Sequence, residues 1–167
     1  FEYGASEVAR YQELLFTVAQ EVATDAKLGL GFGSDAEKRA SVRAVLLRGP
    51  SGAGKSDLAL RLIEAGGRLV ADDQTRLTRT GRTLMATAPT TLAGLIEVRG
   101  VGIAKLARGQ VLARAPLSLL VDLVAADRIE RLPDSARENL LGVDLPLLAL
   151  APFEVSAAAK LRLAVAQ

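Results

Sequence analysis

The sequence predicts an α/β fold: a P-loop domain with a mixed sheet, preceded by an amphipathic N-terminal helix. Three observations carry that prediction. Gly49-Pro50-Ser51-Gly52-Ala53-Gly54-Lys55-Ser56 fits G-x-x-x-x-G-K-[ST] and sits between an apolar strand-like run and a helical one. After it, short β-rich runs follow one another through hairpin turns, which a purely parallel sheet does not allow. Before it, the first 40 residues have a different texture, with helical periodicity and then glycines.

In chain order, Ala5 to Leu28 places Val8, Tyr11, Leu15, Val18 and Val22 on one helical stripe, with Glu7, Arg10, Glu13 and Glu21 mostly off it. Leu28 to Ser34 alternates glycine with apolar residues and reads as a flexible linker, continued by polar residues to Ser41. The expected organisation is therefore residues 1–40 as helix and Gly-rich linker, and 41–167 as the P-loop domain. Val42 to Leu47 reads as a buried strand. Lys55 to Ala65 reads as a helix, with Leu58, Leu62 and Ala65 on one side and Gly66-Gly67 as its stop.

Arg68 to Ala71 is a brief strand ending at Asp72-Asp73, and Gln74 to Thr80 with Arg82 to Ala88 form a hairpin about Gly81. Leu95 to Arg99 and Val101 to Leu106 are strand segments broken by Gly100 and Gly102. Pro116 precedes a strongly apolar strand, Leu117 to Val124. Asp127 to Leu132 reads as a charged turn or short helix, Ser135 to Leu141 as helical, and a last helix starts near Ser156.

Composition narrows the chemistry. The 167 residues suffice for one core, half of them are hydrophobic, and a net charge of +2 from interspersed acids and bases gives no nucleic-acid footprint. With no cysteine there is no thiol nucleophile or disulfide, which fits a cytoplasmic setting. With no histidine, proton transfer falls to carboxylates, lysine, tyrosine or water. No apolar run reaches the ~18 residues of a membrane span. The chain begins at Phe1 without a signal-peptide pattern.

The glycines of residues 49–54 let successive N–H groups turn inward, the following helix adds its positive end, and Lys55 adds a cation. A nucleoside triphosphate is the natural guest for that cradle, spanning Gly49, Pro50, Ser51, Gly52, Ala53, Gly54, Lys55 and Ser56. Ser56 is the expected first Mg2+ ligand. Asp72 and Asp73 end a buried strand, where they either serve the phosphate or merely cap a turn. Glu97 is a charge within an apolar strand, either a site residue or a surface partner of Arg99.

The segment from Leu47 to Lys105 resembles the catalytic domain of HPr kinase/phosphorylase, the bacterial protein-serine kinase of the sugar phosphotransferase system. The likeness is to its short form. Three pieces carry it: the run GPSGAGKSDLAL, the run RLVADD ending 18 residues beyond Lys55, and IEVRGVGI, which is similar to the family's glutamate-containing signature. Ile129-Glu130-Arg131-Leu132 resembles the family segment that carries a catalytic arginine. Residues 1 to 40 take no part in the resemblance. The histidine usual in the strand hairpin ahead of the P-loop has no counterpart here.

The resemblance implies a phosphoenolpyruvate-carboxykinase-like fold, ATP and Mg2+ as cofactors, the phosphocarrier HPr as substrate, and self-association as in the family's hexamers. It implies catalytic roles for Lys55, Asp72, Asp73 and Arg131, with Asp73 favoured as the base and Arg131 stabilising the phosphoryl group in flight. It implies metal binding by Ser56 and Glu97 with Asp57 nearby. A nucleotide-sensing homologue acting through a protein partner, with impaired catalysis, is the alternative.

Overall fold

A computed structural model describes residues 8–11, 16–21 and 42–167 of the chain. Its strands are β1 (Val8–Tyr11), β2 (Phe16–Glu21), β3 (Val42–Arg48), β4 (Arg68–Ala71), β5 (Thr75–Thr80), β6 (Thr83–Thr87), β7 (Leu95–Val98), β8 (Gly102–Lys105), β9 (Arg114–Leu123), β10 (Ala136–Leu140) and β11 (Val143–Leu150). The helices are α1 (Lys55–Glu64) and α2 (Ala157–Ala166), with short 3-10 turns at Arg108–Gln110 and Ala126–Arg128. Among the described residues nine strands form one mixed sheet, and β7–β8 form a separate antiparallel hairpin.

Strand pairing follows the path β1-β5-β6-β9-β3-β2-β4, with β11 beside β9 and β10 outside β11. β3 and β4 both run antiparallel to β2, and β9 runs parallel to β3 and β11. The four strands β3, β4, β9 and β11 therefore deliver their C-terminal ends to one edge of the sheet. Near the two ends of the path lie β4 and β5, which only Asp72-Asp73-Gln74 separates in sequence. The sheet must curl until those ends meet.

Alternation along β3 explains the two apolar clusters. Val45 and Leu47 join Leu58, Leu62, Ile96, Leu161 and Val165 on the face covered by the helices. Ala44 and Leu46 join Val70, Leu77, Leu84, Ala86 and Leu120 on the other. In β9 the phase changes at Ser118. Ala115 and Leu117 share a cluster with Leu120, because the β3 pairing slips between Ala44 and Val45 and Ser118 falls in the bulge. The Ser118 hydroxyl donates to the Ala44 carbonyl at 3.2 Å, which satisfies a group the slip would strand.

Several expectations need correction. Val8–Tyr11 and Phe16–Glu21 are strands, not parts of one helix. The remainder of the expected helix and the glycine linker lie outside the described residues. The ladders explain the difference: β2 is hydrogen-bonded to β3 on one side and β4 on the other, and two-sided pairing outweighs a helical period in a stretch this short. Ser135 to Leu141, expected to be helical, contains β10, which pairs with β11 from Ala136↔Leu147 to Leu140↔Val143. Their two-residue turn has φ of 50° at Leu141 and 76° at Gly142, the backbone of a tight hairpin turn.

β9 also starts earlier than expected and contains Pro116. Pro116 and the strand proline Pro146 occupy equivalent places. The β3 ladder on β9 begins at Leu117, and the β9 ladder on β11 begins at Leu147. Each proline thus sits one residue before its strand gains a second neighbour, where the missing N–H costs little. The other elements expected after residue 42 fall within a few residues of their bounds, whereas β11 and the 3-10 turn at Arg108–Gln110 were not anticipated.

Candidate functional site

The glycine-rich loop leaves β3 at Gly49 and enters α1 at Lys55. Its tightest points are glycines for a reason. Gly52 and Gly54 have φ of 81° and 91°, and a Cβ on Gly54 would lie 2.9 Å from the Phe153 ring. The turn is closed by the Ala53 N–H donating to the Pro50 carbonyl at 3.1 Å. No side chain caps α1, so its first-turn N–H groups face the loop without a side-chain acceptor. Lys55 is buried; its ammonium donates to the Pro50 carbonyl at 2.7 Å and also to that of Gly49. Burial lowers the Lys55 pKa from its ordinary value, while Asp72 and Asp73 act to raise it.

Across the cavity, β4 ends at the two acids. Asp73 adopts φ of 45°, so the chain leaves the strand geometry there and the usual opposition of neighbouring side chains no longer holds. Both acids consequently line the same cavity. The Asp72 carboxylate accepts from the Asp73 N–H and from the Glu97 N–H, each at 2.7 Å. Burial raises its pKa from the ordinary value against those two main-chain donors, with the Asp73 and Glu97 charges adding to the rise.

Glu97 arrives on the β7–β8 hairpin. Its neighbour Ile96 is fully buried beneath α1 with the helix-side cluster, and strand alternation turns Glu97 outward to the cavity. Arg99 lines the cavity too, and among the described residues it forms no ion pair with Glu97.

The cavity has a volume of about 400 Å³ and brings Lys55, Ser56, Asp57, Asp72, Asp73 and Glu97 together with Ser51, Gly52 and Gly54 of the loop. Gly49, Pro50 and Ala53 form the base of the loop and do not line the cavity. Asp57 lies at its rim, where one carboxylate oxygen accepts from Arg61 at 2.7 Å and 3.1 Å. Arg131 is not brought to it. That side chain is exposed in the loop between the 3-10 turn at 126–128 and β10, a position fixed by β9 and β10 and not by any cavity-lining element. The arginine that does line the cavity is Arg99.

One cluster escaped the sequence. Arg48, the last residue of β3, makes two bonds to Asp122 on β9 (2.6 and 3.0 Å) and two to Glu138 on β10 (2.6 and 2.8 Å). Asp122 is the penultimate residue of an apolar strand parallel to the loop-bearing strand, where P-loop enzymes commonly hold a metal-binding acid. Here its two oxygens are taken by Arg48, and the acids of the cavity come instead from β4 and β7. The cluster fixes β3, β9 and β10 immediately before the loop begins.

Hydrogen bonds from Arg48 hold the Glu138 carboxyl below its ordinary value, and they raise the guanidinium's own pKa. A depressed carboxyl stabilises the fold above its unfolded pKa of about 4.3, and that contribution is lost as pH falls through the lower folded value. Glu138→Gln is therefore expected to cost about 1 kcal/mol at neutral pH. The difference from wild type should shrink below about pH 4. Urea denaturation across that range checks it; a gap independent of pH would remove the charge from the account.

No helix among the described residues is long and apolar enough to cross a membrane. A family model described as HPr Serine kinase C-terminal domain matches residues 42–162. The chain is 36% identical to the HPr kinase/phosphorylase of Geobacillus thermodenitrificans, over 64% of this chain and 37% of that protein. It is 40% identical to the HPr kinase/phosphorylase of Bordetella pertussis, over 60% of this chain and 36% of that one. It therefore spans about a third of the length of these curated relatives. Among solved structures, the fold is similar to that of the Hpr(Ser) kinase/phosphatase from Coxiella burnetii. The TM-score is 0.70 at 20% identity, over 94% of this chain and 93% of that one.

Proposed function

The chain belongs to the HPr serine kinase C-terminal domain family, and on that premise we propose that it is an ATP- and Mg2+-dependent protein-serine kinase acting on a small phosphocarrier of the HPr type. Regulation of carbohydrate phosphotransferase metabolism, reverse phosphorolysis, a phosphoenolpyruvate-carboxykinase-like fold and self-association belong to the same proposal. The observation that supports it most is the meeting of a lysine-bearing glycine loop with Asp72, Asp73 and Glu97 around one cavity.

The residues suit both cofactors. The uncapped first turn of α1 and the glycine cradle offer main-chain donors to phosphate oxygens, and Lys55 lies beside them. Among the described residues no three Asp or Glu side chains are close enough to hold a metal by themselves. That is the expected condition for Mg2+, which takes one or two carboxylates, phosphate oxygens and water. Ser56 and Glu97 are the protein donors assigned to it, with Asp57 at the rim.

Bound MgATP supplies the phosphoryl group and the metal charge that offsets it. The chain's own residues do the rest. Lys55 and the loop N–H groups hold the terminal phosphates and neutralise charge that grows in transfer. Asp73, exposed at the cavity and with neither oxygen hydrogen-bonded among the described residues, takes the proton from the acceptor serine hydroxyl. Asp72 is the positioning residue, because both its oxygens are committed to main-chain donors that tie β4 to β7.

The test is phosphate transfer itself. Purified protein, γ-labelled ATP, Mg2+ and HPr should give labelled phosphoserine, and EDTA should stop it. Binding of ATP with no labelling of a phosphocarrier at any Mg2+ concentration would sink the assignment.

A further inference from the structure

Residues 42–167 contain a single aromatic side chain, Phe153, and it belongs to neither apolar cluster. It is 71% exposed and lines the cavity. A domain whose core is made from Leu, Val and Ala has thus placed its one large flat apolar surface in water beside the glycine loop. A singly exposed apolar residue is ordinary, but this ring lines the cavity beside the phosphate loop, where an occupant would cover it.

The ring's place is fixed from both sides. Pro152 is buried, and Arg61 of α1 donates to the Pro152 carbonyl and, at 3.2 Å, to the Glu154 carbonyl. Arg61 is itself held by Asp57, one turn earlier on the same helix. The backbone flanking Phe153 is therefore fastened to the helix that starts at the loop, and the ring lies over Gly54, where a Cβ would meet it at 2.9 Å. Leu60 and Val98 are the other large apolar side chains lining the cavity. A cavity of about 400 Å³ lies within the range of small-molecule sites.

We propose that Phe153 is the stacking surface for the nucleobase of the bound triphosphate. This rests on the nucleotide reading given above and assigns the base end of the same site. A phosphate cradle recognises every triphosphate alike, whereas a π-face rewards a base, and a purine more than a pyrimidine because its stacking area is larger. The preference should run from ATP and GTP, through CTP, to inorganic triphosphate.

Calorimetric titration of the Mg2+ complexes tests it. Phe153→Ala should weaken ATP binding about tenfold to a hundredfold. It should leave the affinity for inorganic triphosphate within about twofold, since that probe has no base to stack. Phe153→Trp should restore ATP affinity. It also introduces the chain's first tryptophan, whose fluorescence should change on adding ATP and not on adding inorganic triphosphate. Equal weakening of both ligands by Phe153→Ala would overturn the proposal, because the ring would then only shape the loop. Unchanged ATP affinity with a raised KM for the phosphocarrier would also overturn it, in favour of a protein contact. A wild-type protein that binds neither ATP nor inorganic triphosphate would remove the nucleotide reading as well.

Discussion

Lys55→Met is expected to cut phosphate transfer about a hundredfold to a thousandfold while leaving the fold nearly as stable as before. The two halves of that result have separate causes. On the proposed reading, transfer suffers because the ammonium is the positive charge at the end of the cradle. Removing one such group from a preorganised site forfeits stabilisation available only while charge develops. Stability is spared because burial already disfavours the charged form of Lys55, as its lowered pKa records. Methionine keeps the buried stem and removes that penalty, against the loss of donors to the Gly49 and Pro50 carbonyls. Labelling assays and thermal melts on the same preparations check both halves. A large fall in melting temperature alongside the lost activity would make Lys55 a structural residue and leave the loop without its cation.

How much of this was legible depended on whether the signal was local. The loop, the strand before it and the helix after it are one contiguous stretch, and each part confirms the others. The strands β7 and β8 were legible because glycines punctuate them, though their pairing as a separate hairpin was not. β2 was not, since what makes it a strand is pairing with β3 and β4, the latter some 50 residues away in sequence. β10 and β11 were hidden by Pro146 and by a Leu141-Gly142 turn lacking the usual Asn-Gly signature.

The site divides along the same line. Lys55, Ser56, Asp72, Asp73 and Glu97 were expected and do line one cavity. What brings them together was unreadable: a junction at Asp73 with positive φ, and an Asp72 carboxylate reaching 25 residues onward to the Glu97 N–H. The Arg48–Asp122–Glu138 cluster spans 74 and 90 residues, and no pattern short enough to notice contains it. Arg131 is the opposite case: a short motif suggested its role, and that motif carries no information about which way its loop faces.

The pair at the end of β4 gives the sharpest separation of chemistry from architecture. Asp73→Asn is expected to lower phosphate transfer about a hundredfold to ten-thousandfold with nucleotide affinity and melting temperature unchanged. Asparagine is the right probe because it keeps the shape and tolerates the left-handed backbone that Asp73 adopts. Asp72→Asn should behave differently. An amide cannot accept from the Asp73 and Glu97 N–H groups with both of its ends, so one donor meets another and the link from β4 to β7 weakens by about 1 kcal/mol. Part of that loss is returned, since the substitution removes a carboxylate whose ionisation burial already opposes. Asp72→Asn should therefore lower stability slightly and loosen the placement of Glu97, with Mg2+ dependence shifted to higher concentrations. If Asp73→Asn weakens nucleotide binding as much as transfer, the residue serves the metal or the fold. If it leaves transfer intact while Asp72→Asn abolishes it at unchanged Mg2+ affinity, the proton goes to Asp72, the half-buried acid whose pKa burial raises.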